Sequence, residues 1–144
     1  MINSRSIEDL DPHVQNICHE HVRLCAVQGV TLLITSTYRD FEAQDALYAV
    51  GRTVQMERKP VTKARAGQSW HNYRCAWDVV PVVAGKAVWK ASDPLWKIVE
   101  VAGLQAGASR GPKWDLPHYQ VLPPAPISYA TARQSFEAAG TIFV

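Results

Sequence analysis

The stretch Gly67-Gln68-Ser69-Trp70-His71-Asn72-Tyr73-Arg74-Cys75-Ala76-Trp77-Asp78, continued by Val79-Val80, decides how this chain is read. Ala76 to Val83 has the length and apolar character of a buried strand, yet Asp78 stands inside it. A carboxylate buried without a partner is costly, so Asp78 calls for a cation or a metal. Arg39 or Arg74 would serve as the cation. A second segment, Trp114-Asp115-Leu116-Pro117-His118-Tyr119, sets an acid three residues before a histidine at the start of another short strand. Alone it also reads as a turn with a surface histidine. Taken together, His71, Asp78 and His118 match the ligand count of a catalytic zinc, three protein groups and one open position. Asp115 is then a spare carboxylate placed to act as a general base.

Working outward, Asp11-Pro12 opens a first helix, with Asp11 as N-cap and Pro12 at the first helical position, and Gly29 closes it. Val30 to Thr35 reads as a strand, Ser36 to Asp40 as a polar turn, and Phe41 to Val50 as a second helix stopped at Gly51. Arg52 to Ser69 lacks periodicity and is basic, a long loop of the kind that often carries function. Ala84-Gly85-Lys86 should turn the chain from the Ala76–Val83 strand to a partner at Ala87 to Trp89. Ser92-Asp93-Pro94 starts a helix expected to end at Gly103, and Leu104 to Lys113 reads as a glycine-rich loop. His118 to Val121 is a short strand. Leu122 to Pro126 is a rigid spacer, and Tyr129 to Ala139 a last helix expected to pack over the sheet. The whole, 1–144, reads as one domain with its core at about 11–121 and a helical C-terminal extension at 122–144.

Composition narrows the classes. The 144 residues are 47% hydrophobic and 19% charged, which describes a globular chain rather than a disordered one. A net charge of +2 is too weak to argue for nucleic-acid binding, and no nucleic-acid partner is expected. Cys18, Cys25 and Cys75 form no disulfide framework; the first two recur at helical spacing and read as small buried residues. No apolar run reaches the roughly 20 residues of a membrane span, and Met1 to Asp11 has no apolar run of a signal peptide. His19-Glu20-His21 is no metal motif, because residues two apart on a helix face different directions.

Several motifs in order resemble one family. Ser69-x-His71, six residues, Asp78, and later Asp115-x-x-His118 are similar to the zinc D-Ala-D-Ala carboxypeptidase and L-alanyl-D-glutamate endopeptidase superfamily. Ile34-Thr35-Ser36-Thr37-Tyr38-Arg39, then Gln44, then Leu47-Tyr48-x-x-Gly51-Arg52 resembles the segment preceding the metal site in those enzymes. The resemblance implies an α+β, hedgehog/DD-peptidase-like fold, a small antiparallel sheet packed against helices. It implies that His71, Asp78 and His118 bind Zn2+, that Asp115 is base and then proton donor, and that Arg39 stabilises the oxyanion or a substrate carboxylate. Gln44 would orient Arg39 or the substrate. Ser69, Tyr73 and Arg74 are candidate substrate contacts, with a plain turn hydroxyl as the other reading of Ser69.

Aspartate at position 115, followed by Pro-His-aromatic, looks like the L-alanyl-D-glutamate endopeptidases of phage endolysins; the carboxypeptidase branch usually carries glutamate there. The expectation is therefore a monomeric hydrolase of peptidoglycan stem peptides. It would be made in the host cytoplasm without a signal peptide, would not insert stably in a membrane, and would reach the wall through a holin-type pore. A D-Ala-D-Ala carboxypeptidase of the same fold and a non-catalytic zinc-containing wall-binding module are the alternatives. Two departures from the family stand out: Arg74 replaces a usual glycine, and Leu104 to Lys113 matches its Gly/Trp-rich segment weakly.

Overall fold

The computed structural model describes every residue, Met1–Val144. Its elements run α1 (Pro12–Val27), β1 (Thr31–Ser36), α2 (Phe41–Ala49), β2 (Ala76–Val83), β3 (Lys86–Ala87), α3 (Leu95–Ala106), β4 (Ser109–Arg110), β5 (His118–Gln120) and α4 (Tyr129–Ala139). Short 3-10 turns lie at Ile7–Asp9 and Trp70–Tyr73. The antiparallel sheet has the order β1-β2-β5-β4, with β3 paired to the far end of β2. This is the expected α+β architecture.

Local chemistry explains the element ends. The Asp11 side chain accepts the His13 amide at 2.9 Å and so satisfies one free donor at the start of α1. Along α1, Val14, Cys18, His21 and Cys25 recur every three or four residues and are all buried, the stripe of a helix lying on a core. The β2–β3 hairpin turns in two residues rather than three: Ala84 and Gly85 both take positive φ, and Lys86 already pairs with Val83.

Two expectations about the second half need correction. α3 does not stop at Gly103 but continues to Ala106, with Gly107 as its left-handed cap. Nor is Leu104 to Lys113 one loop, since Ser109 and Arg110 form β4 against β5. Gly103 punctuates nothing; it is a point of close approach. A Cβ there would lie 2.6 Å from a Tyr119 ring carbon and 3.1 Å from His21 Nε2.

Period-2 alternation sorts β2. Cys75, Trp77 and Val79 face the helical layer and join one cluster with Val14, Cys18, Cys25, Val99 and Tyr119. Asp78 therefore points to the other face. Fully burying a Val- or Trp-sized side chain in such a cluster contributes about 1.5–3 kcal/mol or more.

His21 is the polar centre of that core. Trp77 Nε1–H donates to its Nδ1 at 3.2 Å, and its Nε2–H donates to the Val99 carbonyl at 2.9 Å. Its ring lies 4.4 Å from the Tyr119 ring, edge to face. Both ring nitrogens are thus committed in the neutral form, and a proton on Nδ1 would oppose the indole N–H. Burial accordingly pushes the His21 pKa below its ordinary value, the Val99 bond only partly opposing this.

The C-terminal extension is helical as expected, but it packs on the Trp70–Tyr73 turn rather than over the sheet. The Trp70 and Tyr129 rings lie 4.4 Å apart, and Phe136 meets both Tyr73 and Phe41. Thr141 Oγ1 donates to Asp11 at 2.6 Å, tying the chain's end to the start of α1.

Two outcomes test this account. Gly103→Ala should destabilise the protein by about 1–3 kcal/mol of overpacking in spite of alanine's better helix propensity. A urea midpoint equal to the parent's would show that Tyr119 yields freely. For His21 the folded pKa lies below the unfolded one, so the unfolded chain binds the extra proton as pH falls. Its contribution is complete above about pH 6.5 and is lost as pH drops below that toward the folded value. Because His118 and Asp115 shift the opposite way, the test is a difference: between pH 7.5 and 5.5 the urea midpoint of the metal-free parent should lose ground to that of His21→Gln, and an unchanged gap would remove His21 as the source.

Candidate metal centre

Three elements bring the candidate ligands together. Asp78 on β2 lies directly opposite His118 on β5, and Ser36 on β1 is its partner on the other side. Residues opposed across strands share a face, so Ser36, Asp78 and His118 form a row on the sheet surface away from the helices. An irregularity between Ile34 and Ser36 re-aims the end of β1. His71 comes from the 3-10 turn, whose N-cap, Ser69, accepts the His71 amide on its hydroxyl oxygen at 3.4 Å.

The three potential ligand atoms lie within 4.8 Å of one another. His71 Nε2 and His118 Nδ1 stand 3.3 and 3.4 Å from Asp78 Oδ1. Neither contact has hydrogen-bond geometry, and Oδ1 is buried without a hydrogen-bond partner. An orphaned carboxylate oxygen facing two imidazole nitrogens is what a cation between them requires. The far nitrogens are already held. His71 Nδ1 meets the Thr37 carbonyl at 2.8 Å, and His118 Nε2 meets Gln120 Oε1 at 2.7 Å. Each such bond puts the proton on the far nitrogen and leaves the near one with a free lone pair. The donor set, two imidazoles and a carboxylate, fits zinc.

Neighbouring charges also shift the titration of Asp78 and His118. Burial alone would raise the Asp78 carboxyl, but the flanking imidazoles hold it well below the ordinary carboxylate range. Burial would lower His118, and the Asp78 carboxylate reverses this, leaving it raised. Asp115 lines the same open groove, and burial, helped by the charge on Asp78, pushes its carboxyl above the ordinary value.

Arg39 also lines the groove. It donates from Nη1 to Gln44 Oε1 at 2.9 Å and from Nη2 to Ser36 Oγ at 3.2 Å, while its buried Nε has no partner. Gln44 is fully buried behind it and donates to the Ala64 carbonyl at 2.8 Å. Gln44 therefore meets Arg39, and the groove lining does not include it.

Two expected substrate contacts are displaced. Tyr73 is fully buried, and its hydroxyl donates to the Gly67 carbonyl at 2.7 Å. Arg74 stacks over Tyr38 at 3.8 Å and donates to the Asp9 carbonyl at 2.8 Å, away from the groove. Its backbone is left-handed, φ 62°, a turn conformation that favours glycine.

Other supporting residues escaped the sequence reading. Gln120 and Thr37 orient the histidines as described. Arg110 on β4, paired with Glu100 on α3 at 2.5 Å, donates to the Asp115 carbonyl at 3.2 Å and pins the turn that carries Asp115. Trp114 and Tyr129 stand on the groove walls. Only the alternation of His118 and Gln120 along one strand could have signalled any of these.

The fold and site define a small α+β domain with a His-Asp-His centre at the base of a groove. A family model described as VanY, D-alanyl-D-alanine carboxypeptidase, matches residues 7–107, and the chain belongs to this family. It is 33% identical over 129 residues to the peptidoglycan L-alanyl-D-glutamate endopeptidase CwlK of Bacillus subtilis (strain 168), covering 80% of this chain and 75% of that protein. The crystal structure of the Serratia marcescens L-Ala D-Glu endopeptidase ChiX shares the fold, with a TM-score of 0.58 at 21% identity over 84% of this chain and 89% of that one. Asp115 and His118 lie beyond the family match and rest on the geometry.

Gln120→Leu is expected to weaken zinc affinity about 10- to 100-fold, as losing a ligand's hydrogen-bond partner does. Chelator competition measures this, and an unchanged affinity would make Gln120 a mere neighbour of His118.

Proposed function

We propose that the protein is a zinc-dependent peptidase of peptidoglycan stem peptides that hydrolyses the L-Ala–D-Glu bond and serves host lysis in the manner of a phage endolysin. The single observation that carries this is the buried, unpartnered Asp78 Oδ1 set between His71 Nε2 and His118 Nδ1 at the floor of a groove that Asp115 also lines. The bond is chosen from the relatives: both CwlK and ChiX bear L-alanyl-D-glutamate endopeptidase names. The family description favours a second reading, removal of a terminal D-Ala.

His71, Asp78 and His118 would hold zinc, which when bound supplies Lewis-acid chemistry that acidifies water and polarises the scissile carbonyl. Asp115 takes a proton from the attacking water and returns it to the departing amine. Arg39 stays cationic on the groove lining and sets fixed positive charge near a substrate oxygen that gains negative charge. Gln44 and Ser36 hold the guanidinium in place. A structural or purely binding site would have no use for this carboxylate and guanidinium. The lysis role further proposes synthesis in a host cytoplasm and passage to the wall through a holin-type pore; no helix is long and apolar enough to cross a membrane.

Mass spectrometry of digested peptidoglycan tests the reading. Peptides with new N-terminal D-Glu should appear with zinc and vanish with chelator, and Asp115→Ala should retain zinc while losing about 10²- to 10⁴-fold in rate. Loss of only terminal D-Ala would establish the carboxypeptidase reading instead. Full activity in Asp115→Ala would remove that residue as the base.

A further inference from the structure

The charge of this chain is unevenly placed. Arg52 to Arg65 holds five basic residues, Arg52, Arg58, Lys59, Lys63 and Arg65, against the single acid Glu57, a net +4; with +2 overall, the other 130 residues carry −2. None of the five pairs with a carboxylate, although Arg23, Lys97, Arg110 and Arg133 all do. All are exposed except the half-exposed Arg52.

The fold gathers them rather than spreading them. Arg52 lies over the Tyr48 ring at 3.9 Å and Arg65 over the same ring at 4.9 Å, so one aromatic ring holds two guanidinium groups. Arg52 also donates to the Tyr48 carbonyl at 2.7 Å. The backbone of Arg58 to Pro60 folds back onto Gly51, so closely that a Cβ there would lie 2.7 Å from the Arg58 carbonyl oxygen. At the other end Lys63 lines the catalytic groove, and the neighbouring Ala64 carbonyl is held by Gln44. Asp45 on α2 accepts the Ala66 amide and acts electrostatically on Arg65 without forming an ion pair with it. The result is an ordered, cationic strip from the groove rim outward. An excess of like charge drawn together costs stability, and a polyanionic partner offsets that cost.

We infer that this strip is a docking surface for the carboxylate-bearing stem peptides of intact peptidoglycan, which holds neighbouring stems while one enters the groove. This rests on the peptidase reading and adds a second contact outside the cleavage site. Repeated carboxylates along one polymer match repeated cations along the loop, and such contacts are screened by salt.

The full chain carrying Asp115→Ala, which leaves the polymer intact, is sedimented with purified peptidoglycan sacculi. Retention should fall between low and high salt. It should fall about tenfold with Arg58→Gln/Lys59→Gln, within the range that surface steering spans. It should fall similarly when the sacculus carboxyls are amidated. With the native Asp115 restored, the same double variant should cut a soluble stem peptide at the parent rate. Equal retention of variant and parent would overturn docking and leave the peptidase reading intact. So would equal retention on amidated sacculi. Loss of binding to a DNA duplex but not to sacculi would overturn it in favour of a nucleic-acid surface. Loop-dependent sedimentation by a protein that never cuts soluble stem peptides would sustain docking and sink the peptidase reading.

Discussion

The carboxylate of Asp78, set on a sheet between two imidazole nitrogens, constrains the rest of this structure. Its Oδ1 is buried and receives no hydrogen bond, a state a protein tolerates only when a cation completes it. Everything around it serves that geometry. The β2–β5 register sets His118 opposite, and a slip of one residue would turn Asp78 toward Trp77's side of the sheet and His118 out of reach. The 3-10 turn brings in His71, and the Thr37 carbonyl and Gln120 amide hold both rings from behind. Thr37 is itself fastened on both sides, its amide to Ser4 and its hydroxyl to the Ser6 carbonyl, so the N-terminal strap supports the site at second hand.

Much of this was legible in the sequence because the relevant signals are local. Asp11-Pro12 marks a helix start by chemistry that needs no tertiary context, and an aspartate in a β-branched run announces an unusual partner wherever the run lies. The motif order from Ile34 to His118 then narrowed the fold. Arg39 and Gln44, singled out together by that resemblance, meet in the structure at 2.9 Å.

What stayed hidden depends on contacts between distant segments. Gly103 looked like a helix end because glycine usually ends helices; only the Tyr119 ring against it explains a glycine inside α3. Ser109 and Arg110 are too few to show a strand pattern, and they pair because β5 offers an edge. Arg74 looked like a substrate contact because it departs from the family and bears a charge. Its left-handed backbone instead directs the guanidinium onto Tyr38, a ring whose position no spacing rule gives. The tail was read as helix correctly, but its docking site, the Trp70–Tyr73 turn, lies more than fifty residues upstream, as the Tyr73–Tyr129 hydrogen bond shows.

That tail has a bearing on how the protein is made. The bond from Thr141 to Asp11 spans 130 residues and completes the cap of the first helix, while Tyr129 finishes one wall of the groove. A chain emerging from the ribosome from its N-terminus cannot close either feature until Tyr129 and Thr141 have themselves emerged. Helix, sheet and ligands can assemble first, and the groove acquires its full shape only when α4 docks. Completion of the working surface thus waits on α4 rather than on the ligand-bearing strands that precede it.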